Sequence, residues 1–161
     1  MTQADPKRHA HAAFAPWALL LALLSPAVAH ADDRRAAPLD AVYAAECGSC
    51  HLAYPPRLLS AASWARLMKA LDRHFGTDAS VDADAFTRID RYLRDHAGPE
   101  RKFGTTALRI SETAWFAKKH GEVPTAVWKH PAVRSAANCA ACHRGAEQGD
   151  YGERNIRLPR P

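Results

Sequence analysis

The sequence predicts an all-α chain built from short helices, and three observations lead there. Apolar residues recur at helical spacing in several short runs, most clearly Trp64, Leu67, Met68, Leu71 and Phe75. Glycine or proline punctuates the ends of these runs, at Pro55-Pro56, Gly76, Gly98-Pro99, Gly121 and Pro131. No stretch alternates apolar and polar residues as a half-buried strand does.

The first element stands apart from the rest. Residues 1–31, MTQADPKRHAHAAFAPWALLLALLSPAVAHA, place Lys7 and Arg8 before an apolar run from Ala15 to Ala29 that is broken in its second half at Ser25 and Pro26. Ala29-His30-Ala31 follows in A-x-A form, the pattern of a bacterial secretory signal cleaved after Ala31. The run falls short of the about 20 apolar residues that a membrane span needs. Residues 32–161 then form one domain exported to the periplasm, with no membrane span left in it.

Along that domain, Asp32 to Ala37 is charged and unpatterned, a frayed terminus. Asp40 to His51 reads as a short helix, stopped by Pro55-Pro56. Ser60 to Phe75 is the clearest helix, with Gly76 as its stop. Ser80 to His96 opens on a capping-type serine and early aspartates, and is expected to bury Phe86, Ile89 and Leu93 on one side. Residues 99–108 read as a polar loop. Ser111 can cap a helix through Trp115 and Phe116 to His120, and Pro124 to Trp128 begins a further brief turn. From Gly145 onward the chain is glycine-rich, charged and irregular.

Charge narrows the range of partners. The 161 residues carry a formal net charge of +5, and removal of the signal leaves 20 basic against 16 acidic residues. The basic residues are dispersed, with no block of five like charges, so no nucleic-acid partner is expected. Four cysteines in an exported protein would by default form two disulfides, but here they fall in two tight CxxC pairs.

Those pairs carry the chemistry: CGSCH at Cys47–His51 and CAACH at Cys139–His143. A haem attached through both vinyl groups needs two thiols about one helical turn apart on one side, which cysteines at i and i+3 supply. The residue at i+4 can then present an imidazole to the iron from the same side. Cys47, Cys50, Cys139 and Cys142 are thus the attachment residues, and His51 and His143 the proximal ligands of two haem c groups. A zinc site pairs its CxxC elements about 15–20 residues apart, whereas Cys50 and Cys139 differ by 89 positions. A thioredoxin-like site would need a βαβ context that is missing. Two ferric haems with ionised propionates add a formal charge of about −1 each and leave the protein mildly basic. The expected fold is therefore cytochrome c-like, short helices wrapped around two covalently attached haems.

A carrier iron needs a sixth ligand, usually histidine or methionine. Met68 is the only methionine after the signal, and its place between Trp64 and Leu71 is explained by core packing alone. His74, in the last turn before Gly76, is the better candidate for the first haem. For the second haem, spacing puts His120 first, one turn after Trp115-Phe116, and leaves His130 and His96 open.

The stretches ECGSCHLAYPPRLLSAASWARLM, HFGTDASVD, RISETAWFAKKHGEVPTAVW and ANCAACHRGAEQGDYGERNIRLPR resemble the small periplasmic dihaem cytochromes c, the DHC family, from about Tyr43 to the C-terminus. The resemblance implies two bis-histidine, low-spin haems and simple electron transfer. It carries the distal positions onto His74 in HFG and His120 in KHGEVP and does not call for His130, which stays the alternative to His120 on spacing alone. It also implies redox partners in the periplasm or membrane, such as an oxygen-binding monohaem cytochrome or a membrane b-type cytochrome. Arg57, Lys69 and Arg73 are candidates to steer an acidic partner or pair with propionates. No catalytic residue and no enzymatic activity are expected. The alternatives, a small haem enzyme or a haem-based sensor, would need one open or displaceable axial site.

Overall fold

Asp40 starts the ordered helical core by capping it. The structure, a computed structural model, describes residues 38–160, so the expected secretory signal and the terminus up to Ala37 lie outside the described residues. The Asp40 carboxylate accepts from the backbone N–H groups of Val42 and Tyr43, opening helix α1, Ala41–Gly48. The helix ends before Cys50 and His51, which follow in a turn. Ser60 caps α2, Ala61–Met68, in the same way by accepting from Ser63 N–H. Asp82, rather than Ser80, caps α3, Ala83–Asp95; the Ser80 N–H is instead bound by Asp78.

α1 and α2 both pack on α3, and Tyr43, Leu59, Trp64, Leu67, Met68, Ile89 and Leu93 fill the space between them. Met68 lies in this core, as packing alone predicts. Burying side chains such as Ile89 and Leu93 contributes about 1.5–3 kcal/mol each. Phe86 departs from expectation: it is 36 % exposed, and Ala85 takes the inward position. The inward row on α3 is Ala85, Ile89, Leu93, at strict i+4 spacing, and Phe86 lies one step off it. Polar groups of this core are satisfied: Trp64 Nε1 donates to the Pro56 carbonyl at 2.7 Å, and the Tyr43 hydroxyl to the Tyr54 carbonyl at 2.6 Å.

The helix expected over Ser60 to Phe75 stops at Met68. Ala70 leaves helical geometry, and a single 3-10 turn, Leu71–Arg73, carries the chain on to His74. Apolar spacing persisted across this break because Leu71 still packs against the same core from its new direction. Residues 99–108 are not simply a loop. Pro99 starts α4, Glu100–Phe103, whose Phe103 is buried and packs edge-on against Trp115. Pro99, expected to end the preceding helix, also suits the first turn of the next. Gly98 belongs to the same junction: its N–H donates to the Leu59 carbonyl, and a Cβ there would overlap the Arg57 carbonyl and the Phe103 ring.

The second part of the chain is α5, Ala114–Lys119, and α6, Thr125–Trp128, followed by 3-10 turns at Cys139–Ala141, Ala146–Gln148 and Glu153–Asn155. Thr113 caps α5 by accepting from Phe116 N–H; Ser111, the expected cap, lies in the preceding 3-10 turn. Among the described residues there are only isolated bridges and no strands, so the all-α expectation holds. No helix among them is long and apolar enough to cross a membrane.

Arg88 on α3 grips the Asp40 cap with Nε and Nη2, the closest contact being 2.9 Å, and this hydrogen bonding holds the Asp40 carboxyl below its usual 3.8. A depressed carboxyl pKa stabilises the folded chain above the unfolded value and stops doing so as pH falls through the folded one. Arg88→Met should therefore lower stability at pH 7 and have little effect near about pH 2, where Asp40 is protonated in both proteins. Denaturant titrations at both pH values measure this, and an equal loss at both would assign Arg88 a packing role. Gly98→Ala should cost about 1–3 kcal/mol through overpacking, read as a lower thermal midpoint; an unchanged midpoint would show that the junction can open.

Candidate haem-binding centres

The first CxxCH motif straddles the end of α1. Cys47 is still helical and half-buried, Cys50 is exposed, and His51 projects from the turn beyond. Its Nδ1 lies 2.8 Å from the Leu52 carbonyl. A carbonyl can only accept, so Nδ1 carries the proton and the Nε2 lone pair is left for a metal. On the other side stands His74. The turn His74–Thr77 that presents it closes through Thr77 N–H to His74 O at 3.1 Å, with Phe75 at φ 50° and Gly76 at φ 95°. A phenylalanine in left-handed backbone is uncommon and costs about 1 kcal/mol or more. It is held by the Arg109 guanidinium, 3.7 Å from the centre of its ring.

The imidazoles of His51 and His74 have centres 6.1 Å apart and planes within 19°. Burial, then the neighbouring His51 and Arg109, pushes the His74 pKa down and favours the neutral imidazole that a metal requires.

The second motif has the same outcome from different local structure. Cys139 to Ala141 form a 3-10 turn, and His143 N–H donates to Cys139 O at 2.8 Å, bringing the imidazole back beside its cysteines. His120 terminates α5, its ring stacked on Phe116 with centres 3.9 Å apart and its Nδ1 3.0 Å from the Phe116 carbonyl. Here too the proton is fixed on Nδ1 and Nε2 is free. His120 and His143 have ring centres 6.1 Å apart, now with planes at 74°. Trp128 and Tyr151 wall the pair at 6.0 and 5.4 Å.

These separations test whether the residues fit the expected group. With a metal–imidazole bond of about 2.0 Å and about 1.2 Å from nitrogen to ring centre, two histidines on opposite sides of one metal have centres roughly 6.4 Å apart. Both pairs meet this. At the second centre the His143 Nδ1 and the Tyr151 hydroxyl are buried without hydrogen-bond partners, a rare condition in a protein interior. The competing chemistries fit less well. Burial pushes the Cys47 and Cys139 thiols up to about 11 and raises Cys142 as well, opposite to the activated thiolate of a redox pair. No two of the four cysteines are joined as a disulfide, and no three His, Cys, Asp or Glu side chains among the described residues converge as a bare metal ion would need.

The remaining candidates are placed elsewhere. His96 is exposed at the end of α3 with Nδ1 on the Tyr92 carbonyl, and it faces no other histidine. His130 accepts at Nδ1 from Ala132 N–H, 3.1 Å away. A neutral His130 therefore holds its proton on Nε2, the wrong tautomer for ligation through that atom.

Tyr54 was not foreseen, and it joins the two centres. Its ring stacks on His51, centres 5.2 Å apart, while its hydroxyl donates to the Ala137 carbonyl at 2.8 Å, two residues before Cys139. Both motifs open on a common cleft of about 670 Å³ whose walls include Cys50, His51, Tyr54, Asn138 and Cys139. A tyrosine three residues after a CxxCH histidine carries no local signal of a contact 83 residues away. Tyr54→Phe should lose about 1 kcal/mol of stability, the net value of one hydrogen bond, while keeping the stack; a thermal melt of the holoprotein checks it, and no change would mean that water replaces the hydroxyl's partner.

Known proteins bear on these centres directly. No curated protein matches the sequence. The profile described as dihaem cytochrome c (DHC) matches residues 43–151, from the first motif's helix past the second motif. Among solved structures, the diheme cytochrome type c of Shewanella baltica is 40 % identical, with a TM-score of 0.67 over 76 % of this chain and 95 % of that one. DHC purified from Rhodobacter sphaeroides is 44 % identical, with a TM-score of 0.64 over 72 % of this chain and all of the other. Since the matched region spans both cysteine pairs and both facing histidine pairs, the chain belongs to the dihaem cytochrome c family of electron-transfer proteins, with two haem c groups as its cofactors.

Proposed function

We propose that this chain is a soluble electron carrier exported to the periplasm, with both haems low-spin and closed on each face by histidine. Cys47 and Cys50 hold the first haem, between His51 and His74. Cys139 and Cys142 hold the second, between His143 and His120. The observation that carries this reading is the common 6.1 Å separation in both pairs, reached through unrelated local structure.

The haem irons supply reversible one-electron chemistry, and the protein's part is to keep the ligand set the same in both oxidation states. Nδ1 contacts at His51 and His120 fix which nitrogen faces the iron and restrict ring rotation. Bis-histidine ligation keeps both potentials lower than histidine–methionine ligation, and the buried position of Met68 in the helical core supports that choice. An iron bound on both faces offers no site to a substrate or gas, so neither enzymatic nor sensor chemistry is favoured. The sequence of residues 1–31 supports export, and electron exchange with other periplasmic or membrane redox proteins follows from it.

His74→Ala and His120→Ala should each turn one haem high-spin or ligand-exchangeable, removing about half of the low-spin EPR intensity. His130→Ala should leave the spectrum as it is. Loss of a low-spin signal in His130→Ala instead would displace His120 from the second iron.

A further inference from the structure

Charge is divided unevenly between the two centres. Residues 38–113, which carry His51 and His74, contain ten basic and ten acidic side chains. Residues 114–160, which carry His120 and His143, contain eight basic and only four acidic ones, Glu122, Glu147, Asp150 and Glu153. Each haem brings the same formal charge to its own part, so the difference survives cofactor attachment.

The placement of the charges sharpens the contrast. In the first part four of the ten basic residues lie in ion pairs with neighbouring carboxylates, Arg73–Asp72, Arg88–Asp40, Arg94–Asp90 and Arg109–Glu112. Arg73, expected to steer a partner, is one of them. In the second part Lys118, Lys119, Lys129, Arg134 and Arg144 are all exposed. Three of these adjoin the second centre along the chain: Lys119 precedes His120, Lys129 follows Trp128 and Arg144 follows His143, and the Trp128 and His143 rings lie 6.0 and 6.1 Å from that of His120. The Arg157 N–H donates to the Cys142 carbonyl at 2.8 Å, bringing a further cation's backbone against the motif.

Building on the electron-carrier reading, we propose that a redox protein with an acidic docking face meets this chain over the second haem, so that electrons cross to and from the partner there. An anionic membrane would also attract these cations, but interfacial binding needs an apolar face beside them. Among the described residues, Leu158 is the only exposed large apolar side chain in this part. A protein partner needs only complementary charge to orient the encounter, and such steering weakens as salt shortens the Debye length, about 10 Å at 0.1 M.

The test uses the holoprotein and a reduced acidic flavodoxin as the probe, mixed by stopped flow across a range of ionic strength, with docking of the oxidised probe followed separately by calorimetry. The second-order rate should fall with salt, and Lys118→Glu/Lys129→Glu should lower the low-salt rate about tenfold and flatten its salt dependence. Arg91→Glu/Arg101→Glu, on the first part, should change both much less. Equal effects of the two double variants, or a rate indifferent to salt, would overturn the proposal. Sedimentation with phosphatidylglycerol vesicles, abolished by the Lys118/Lys129 change while the flavodoxin rate is not, would overturn it in favour of a membrane. Salt-sensitive docking with no electron exchange would sink the carrier reading and leave the acidic-partner face standing.

Discussion

Holding two imidazoles about 6 Å apart, on opposite sides of the space of one metal, constrains nearly everything else in this fold. Neither pair is local in sequence: 23 residues separate His51 from His74, and the same number separates His120 from His143. An unsupported chain pays heavily in conformational entropy to hold such a pair. α1 and α2 are fixed to one another through α3, and the turn at Phe75 and Gly76 then delivers His74. At the second centre little helix is available, and the work passes to ring contacts: Phe116 under His120, Trp128 and Tyr151 beside the pair. The first histidine pair is supported by a hydrophobic core and the second by an aromatic cage.

The two centres are not independent modules. The Tyr43 hydroxyl meets the Tyr54 carbonyl, the Tyr54 ring lies on His51, and the Tyr54 hydroxyl meets Ala137 beside Cys139. A chain of three contacts thus runs from the helical core through the first centre to the second. Such a connection fixes distance and orientation between two redox groups, on which electron exchange between them depends. It also means that disturbance of the core at Tyr43 reaches both sites.

Much of this was legible in the sequence, for identifiable reasons. The CxxCH motifs are local and compress the attachment chemistry into five residues, so their reading needed no tertiary information. His74 and His120 were visible because each ends a helical apolar run just before a glycine. What escaped was tertiary. Phe86, three residues before Ile89, also fits a helical face with Ile89 and Leu93, but the buried row runs through Ala85 and leaves Phe86 at its edge. Ser80 and Ser111 suit caps by residue type, yet Asp82 and Thr113, closer to the helices, provide the bonded oxygen. The helix break at Ala70 is silent in the apolar pattern, since Leu71 faces the core on either backbone path. Tyr54, Arg109 and Tyr151 act across the fold, and single positions do not announce partners dozens of residues away.

The central claim is that both irons are closed by two histidines. Optical and EPR spectra of the purified holoprotein, oxidised and reduced, with and without carbon monoxide, test it most directly. Two low-spin bis-histidine haems whose reduced spectra ignore carbon monoxide are the expected result. A high-spin signal, or a reduced haem that binds the gas, would contradict closure at that iron and turn attention to sensing or catalysis there.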